Sequence, residues 1–121
     1  MDIEATVELF EPVLAVSARK MFGGLGVYAG DRIIAIVAYG EVYLKGDDEN
    51  EDAYRAVGMA PFVYDGGAKP ITMRYWRLPA VAYDDEEELA RLTHLALGAA
   101  DRAGPPKRRK PRRKGREPQE N

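Results

Sequence analysis

Three glycines follow two cations in the stretch RKMFGGLGVY, which occupies residues 19–28. A glycine-rich loop can bind phosphate when a strand precedes it and a helix follows, because the helix N-terminus supplies N–H donors. Here the spacing is G-G-x-G, and the run VYAGDRIIAIVA that follows is typical of strands. We therefore expect Gly23, Gly24 and Gly26 to allow close backbone packing or a bulge, and we expect no phosphate or other cofactor there.

Few residues could catalyse a reaction. The chain has one histidine, His94, one serine, Ser17, and no cysteine, so it offers little material for a nucleophilic triad and none for a thiolate metal site. The carboxylates of residues 47–52 lack the alternating ligands, central glycine and closing Glu of an EF-hand, and we interpret them and the run 84–88 as solvated helix N-termini. We predict no catalytic residues, no metal site and no enzymatic activity.

Charge is unevenly distributed along the chain. The segment from Pro105 to Asn121 holds eight of the 18 Lys/Arg and two of the 20 Asp/Glu, so the first 104 residues hold ten cations against 18 carboxylates. That segment is rich in proline and has no aliphatic side chain to bury. We therefore predict a folded domain over residues 1–104 and a disordered basic tail over residues 105–121.

The tail is predicted to bind nucleic acid without sequence preference, because a flexible cationic segment can follow a polyanion and release its counterions. Its eight cations are Lys107, Arg108, Arg109, Lys110, Arg112, Arg113, Lys114 and Arg116. A solubilising tail and an intramolecular cover for the acidic helices are the alternatives.

The folded body is not expected to be a general DNA binder, because its excess of carboxylates repels phosphate. A local cationic patch on the body is nevertheless a candidate nucleic-acid site. Its candidate members are Arg19, Lys20, Arg74, Trp76 and Arg77. Alternation along a strand places Arg74 and Trp76 on one face and Arg77 on the other, which weakens the patch. The alternative is that these cations pack their stems over apolar surface.

The apolar pattern predicts the elements that position these residues. Residues 2–11 predict a short helix that Asp2 caps and Pro12 ends. An extended stretch, VSARKMF, precedes the runs GLGVYA, RIIAIVA and EVYLK. The joints Gly30-Asp31 and Tyr39-Gly40 favour an antiparallel meander, which gives about four strands.

The second half of the folded body predicts a helix, two strands and a helix. Residues 46–58 begin with carboxylates that suit a helix N-terminus and end at Gly58, a common C-terminal position. PFVYD and ITMRYWRL predict strands, and residues 84–103 predict a final helix in which Asp85 and Glu88 have capping-box spacing. The order α-β-β-β-β-α-β-β-α predicts a two-layer α+β fold, with an antiparallel sheet and helices on one side.

Two blocks of the chain resemble the N-terminal domain of the TfoX/Sxy family: RKMFGGLGVYAGDRIIAIVAYGEVYLKGDDEN and GMAPFVYDGGAKPITMRYWRLP. Residues 19–26 match the family's Arg-Lys-Met-Phe-Gly-Gly-x-Gly, and Tyr43-Leu44-Lys45 match its strand-ending Tyr-Leu-Lys. Tyr75-Trp76 with Pro79 match its aromatic pair before a proline. The resemblance covers about residues 3–98.

The resemblance implies a two-layer α/β fold and, for the best-known members, co-regulation of competence-gene transcription alongside a DNA-bound activator. Two departures stand out. Full-length members add a C-terminal helical domain where this chain has the basic tail, and Arg74 and Arg77 flank the aromatic pair where small or acidic residues are usual.

The sequence thus predicts a non-enzymatic, cytoplasmic TfoX-like regulator that binds a transcription activator or RNA polymerase and does not enter a membrane. A homodimer that forms through an exposed edge strand is a further alternative. The main alternative is a small binding module unrelated to transcription, whose tail contacts RNA, the ribosome or an acidic protein.

Overall fold

The computed structural model describes residues 1–21, 23–64 and 70–105. Over these residues the chain forms, in order, α1 (Ile3–Phe10), β1 (Ser17–Met21), β2 (Gly24–Ala29), β3 (Arg32–Ala38), β4 (Glu41–Lys45), α2 (Glu51–Ala56), β5 (Pro61–Tyr64), β6 (Ile71–Arg77), a 3₁₀ helix (Ala80–Tyr83) and α3 (Glu86–Ala103). The 3₁₀ helix was not predicted from the sequence.

The strands pair into one antiparallel sheet in the order β1-β2-β3-β4-β6-β5. The predicted α+β fold is therefore confirmed, and so are the two tight connections, Gly30-Asp31 and Tyr39-Gly40, of the β2–β3–β4 meander. β1 and β5 are the edge strands of this sheet.

The helices pack on one face of the sheet and enclose the hydrophobic core. Cross-strand neighbours such as Leu25 and Val37, or Leu44 and Trp76, share that face because paired residues point to the same side. Each α-helix adds to the same buried cluster, through Phe10 of α1, Tyr54 of α2 and Leu92 of α3.

A bulge in β3 explains its nearly continuous apolar run. Val27 pairs with Ala35 and Tyr28 with Ile33, so Ile34 is the extra residue between them. Ile34 and Ala35 are both fully buried, which strict alternation along a strand would not allow. Beyond the bulge, Arg32 Nη1 donates a 2.7 Å hydrogen bond to Asp101 Oδ1 on α3.

The second helix is shorter than predicted because a buried Asn50 forms long-range bonds before it. Asn50 Nδ2 donates to the carbonyl oxygen of Leu95 at 2.8 Å, and Asn50 Oδ1 accepts from Asp47 N at 2.8 Å. The side chain thus holds residues 47–50 in a turn that ties α3 to the loop before α2, and the helix begins at Glu51.

The capping box predicted at the start of α3 forms only in part. Asp85 Oδ1 accepts from the backbone N–H groups of Glu87 and Glu88, at 3.0 and 3.2 Å. The Glu88 carboxylate instead forms a 2.8 Å ion pair with Arg91, one turn further along the helix.

The glycine-rich stretch lies in the β1–β2 hairpin, and the sequence predicted close backbone packing there. Gly23 adopts a φ of +79° at the turn, where L-residues with a side chain are strained. A Cβ at Gly24 would overlap the carbonyl oxygen of Val37 on β3. The chain therefore approaches itself too closely at Gly24 for any side chain.

We expect Gly24→Ala to lower the free energy of unfolding by about 2 kcal/mol, because Val37 can yield only by moving the backbone of β3. Urea denaturation followed by the fluorescence of the buried Trp76 measures the change. Gly98→Ala is the matched control, since a Cβ there meets only the end of the Arg102 side chain. Alanine in the α3 interior should leave stability unchanged or raise it by up to about 1 kcal/mol. Equal losses in both variants would contradict the close approach.

Candidate interaction surface

The sheet face that points away from the helices is the candidate functional surface, and we call it the open face. One register row crosses it from β1 to β6, with a cation at each end. The row consists of Arg19, Gly26, Ile36, Tyr43 and Arg77. Within the described residues, the helices contribute to the core on the opposite face.

The glycine-rich stretch builds one part of the open face. The guanidinium carbon of Arg19 lies 4.1 Å from the centroid of the Tyr28 ring, a cation–π contact. A Cβ at Gly26 would lie 3.0 Å from Tyr28 Cε1 and 3.3 Å from Met21 Cε. Gly26 therefore leaves the space into which the Tyr28 ring and the Met21 side chain pack.

An apolar groove of about 730 Å³ occupies another part of the open face. Its lining includes Met21, Ile36, Phe62, Tyr64, Ile71 and Met73. Ile71 is 58% exposed, Tyr64 47% and Met73 38%. A cluster of large, solvent-exposed apolar side chains is typical of binding surfaces.

Three aromatic rings pack against one another in and beside the groove. The Phe62 ring centroid lies 4.8 Å from that of Tyr43, edge to face, and 6.1 Å from that of Tyr39. Phe62 and Tyr43 are buried although they lie on the open face. Burial raises the pKa of Tyr75, and the nearby Tyr28 adds to that rise, so the Tyr75 phenol stays neutral at physiological pH.

Cations border the groove on the open face. Lys45 Nζ lies 5.7 Å from the centroid of the Tyr75 ring, and Arg77 lies 3.7 Å from the Glu41 carboxylate. With Arg19, the strand residues on this face carry three cations against the single carboxylate of Glu41. The strand residues of the open face therefore carry a net positive charge, in contrast to the acidic domain as a whole.

The five residues of the predicted local patch divide between the two faces. Arg19 and Arg77 lie on the open face, whereas Lys20, Arg74 and Trp76 lie on the helical side of the sheet. Because β-strand side chains alternate, neighbours in sequence such as Arg19 and Lys20 cannot join one surface.

Arg74 and Trp76 are engaged with the acidic residues at the start of α2. Arg74 Nη2 contacts Asp48 Oδ1 at 2.6 Å and Glu51 Oε1 at 2.7 Å. Trp76 Nε1 donates to Glu51 Oε2 at 2.9 Å, and Trp76 is only 4% exposed. The hydrogen bonds from Arg74 lower the pKa of Glu51, and the one from Trp76 adds to this, against the opposing effect of burial.

The other carboxylates near α2 are also paired. Arg102 of α3 contacts Asp47 at 2.7 Å and Glu49 at 3.4 Å, and its hydrogen bond is the main cause of the lowered pKa of Asp47. Arg55 pairs with Asp52 at 2.8 Å. The acidic run thus binds the chain's own cations, and the described residues contain no cluster of three metal-ligating side chains.

The remaining predicted residues lie elsewhere. His94 is exposed on α3, away from the groove. All eight tail cations, from Lys107 to Arg116, lie outside the described residues. Among the helices of the described chain, none has the length and apolar character to cross a membrane.

These residues define a class of structure. It is an α+β domain with helices on one face of the sheet and an open, apolar opposite face that cations border. Residues 8–100 match the family model of the TfoX N-terminal domain. The chain therefore belongs to the TfoX N-terminal domain family, which confirms the resemblance. No curated protein matches the chain significantly.

Glu51→Gln should lower the free energy of unfolding by about 1 kcal/mol at pH 7, because it removes a carboxylate that is 13% exposed and bound by Arg74 and Trp76. The folded state lowers the pKa of Glu51 from its ordinary value of 4.5. This stabilisation is therefore present above pH 4.5 and is lost as the pH falls through the folded-state pKa.

Urea denaturation of both proteins at pH 7 and in acid measures that difference. The gap between wild type and variant should shrink as the pH falls below 4.5, the ordinary pKa. Asp52→Asn is the control, because its carboxylate is 94% exposed and should contribute less than about 0.5 kcal/mol. A gap that is constant across pH would contradict the role of the Glu51 charge.

Tyr39→Asn should leave the free energy of unfolding unchanged or raise it by about 0.5 kcal/mol. Tyr39 and Gly40 both have positive φ, at 53° and 76°, the arrangement of a type I′ turn that favours Asn-Gly. Tyr39 is 79% exposed, so removal of its ring costs little burial. A loss above about 1 kcal/mol in a thermal or urea melt would show that the ring is mainly structural.

Proposed function

We propose that this protein is a non-enzymatic TfoX-like regulator. Its folded domain binds a protein partner through the open face, and its basic tail holds nucleic acid without sequence preference. The observation that supports this proposal is the pairing of an exposed apolar groove with bordering cations on one sheet face. Apolar area supplies affinity in protein recognition, and surrounding charge supplies orientation and partner choice.

The character of the groove favours binding over catalysis. Methionine, isoleucine and aromatic side chains dominate its lining, whereas a reaction centre would bring titratable groups together there. The carboxylates near α2 are occupied by Arg74, Arg102 and Arg55 on the other side of the sheet. We therefore assign the open face to recognition.

The class of partner follows from the family. The resemblance to TfoX/Sxy co-regulators points to a transcription activator or RNA polymerase as the protein bound. A pull-down with the full chain from its native cells, treated with nuclease to remove bridging nucleic acid, tests this assignment. Recovery of polymerase subunits or an activator is the expected result. Recovery of ribosomal proteins instead would favour the alternative of a binding module unrelated to transcription.

The tail assignment makes a prediction about salt. If about five phosphates are engaged, the logarithm of the duplex affinity should fall against the logarithm of the salt concentration with a slope of about −4.5. A full-length variant with all eight tail cations replaced by glutamine, called the tail-neutral chain, should lose duplex binding. Filter binding from low to moderate salt measures both proteins.

The same variant should unfold at the same urea concentration as the wild type, because the hydrophobic core of the described residues includes none of the tail cations. Duplex binding that survives in the tail-neutral chain would contradict the tail assignment. A further replacement of Arg77, which lies on the open face, would then show whether the folded domain carries that binding.

A further inference from the structure

We propose that the apolar groove of the open face binds an extended peptide segment that combines apolar side chains with carboxylates. The apolar side chains enter the groove, and the carboxylates contact Arg19, Lys45 and Arg77 around it. This inference rests on the proposed function, because it names the chemistry of the protein segment that the domain recognises.

The groove has the size and surface of a site for several side chains. Its volume of about 730 Å³ lies within the range of sites that enclose small ligands. Met21 on β1 and Met73 on β6 line it from strands near opposite edges of the sheet, and methionine adapts its shape to different apolar partners. Ile71, at 58% exposure, gives the site an apolar side chain that the fold itself leaves unused.

Tyr39 supports a binding role because its placement is costly for the fold. Its backbone has a φ of 53°, a region that a bulky residue rarely adopts. Tyr39 lines the groove and is 79% exposed, so it adds little to the core. Strain at an exposed aromatic residue is typical of recognition sites.

Charge identifies the acidic component of the segment. Arg19 lies two residues from Met21 on the same face, Lys45 lies 5.7 Å from the Tyr75 ring centroid, and Arg77 lies two residues from Tyr75. Met21 and Tyr75 line the groove, so all three cations are close to a bound segment. The acidic helical side attracts a basic peptide, whereas the open face attracts an acidic one.

The same details disfavour single-stranded nucleic acid as the occupant. Stacking a run of bases needs several exposed ring faces, but Arg19 covers the ring of Tyr28 and Tyr43 is buried beside Phe62, which leaves Tyr39 and Tyr64 as the largely exposed aromatic residues of the groove. Apolar side chains do not need an exposed ring face, so the same details favour a peptide.

A random dodecapeptide library displayed on phage is the probe, and the tail-neutral chain is the bait, because tail cations would capture acidic peptides by themselves. We expect the enriched peptides to combine aromatic or aliphatic residues with Asp or Glu. One enriched peptide, labelled with fluorescein, then serves for affinity measurements by fluorescence anisotropy.

Two groove variants and one charge variant test where that peptide binds. Ile71→Ser, Tyr39→Asn and Arg19→Glu should each weaken binding at least fivefold. Val81→Ser and Lys20→Glu are the matched controls and should leave binding unchanged. Val81 is 57% exposed outside the groove, and Lys20 adjoins Arg19 but lies on the helical side. Thermal melts of each variant confirm that it is folded.

Failure to enrich any peptide over bare matrix would overturn the inference, as would an enriched set dominated by Lys and Arg. Binding that Ile71→Ser leaves intact would also overturn it. If the tail-neutral chain binds a labelled (dT)20 oligonucleotide and Arg19→Glu abolishes that binding, the open face belongs to single-stranded nucleic acid instead.

The pull-down separates this inference from the proposed function. If Ile71→Ser recovers the same activator or polymerase as the wild type, the proposed regulatory function is supported and the assignment of peptide binding to the groove is wrong. If the wild type recovers neither protein while peptides still bind the groove, the groove is a peptide site and the transcriptional role is wrong.

Discussion

A short pairing between β4 and β6 joins the two halves of the sheet, with backbone hydrogen bonds from Gly46 to Arg74 and from Leu78 to Val42 at its two ends. Tyr43, Leu44 and Lys45 pair with Arg77, Trp76 and Tyr75, and this contact connects the meander of β1–β4 to the β5–β6 hairpin. The groove needs both halves, because Met21 comes from the meander and Ile71 and Met73 from the hairpin. Its existence therefore depends on this short junction.

Trp76 secures the junction from the core side. A Cβ at Gly46 would lie 2.7 Å from Trp76 Nε1, so the glycine that follows β4 makes room for the indole. Glu51 accepts the indole N–H at 2.9 Å and also binds Arg74, which satisfies a polar group that burial would otherwise penalise. The acidic start of α2 thus stabilises the junction, and its carboxylates are used in the fold while the open face keeps a positive border.

Local chemistry made the strands, the hairpins and the outer helices predictable, whereas tertiary contacts decided the rest. Gly30-Asp31 and Tyr39-Gly40 mark turns by themselves, but the start of α2 depends on the bond from Asn50 to Leu95, 45 residues away. The side of β6 that belongs to the open face could not be predicted, because β6 has apolar residues on both sides, with Met73 on one and Trp76 on the other. Which side is covered follows only from the pairing with β4.

Strand register explains why each block that resembles the family contributes side chains to both faces of the sheet. In Tyr43-Leu44-Lys45 the middle residue is buried in the core and the outer two face the groove region, and Tyr75-Trp76 divides in the same way. A slip of one residue would exchange Arg19 with Lys20 on the open face and bury the wrong partners. The bulge at Ile34 absorbs one residue and keeps Arg32 on the helical side, where it meets Asp101. The positive border of the groove is therefore a consequence of strand register, and no contiguous basic motif is needed to produce it.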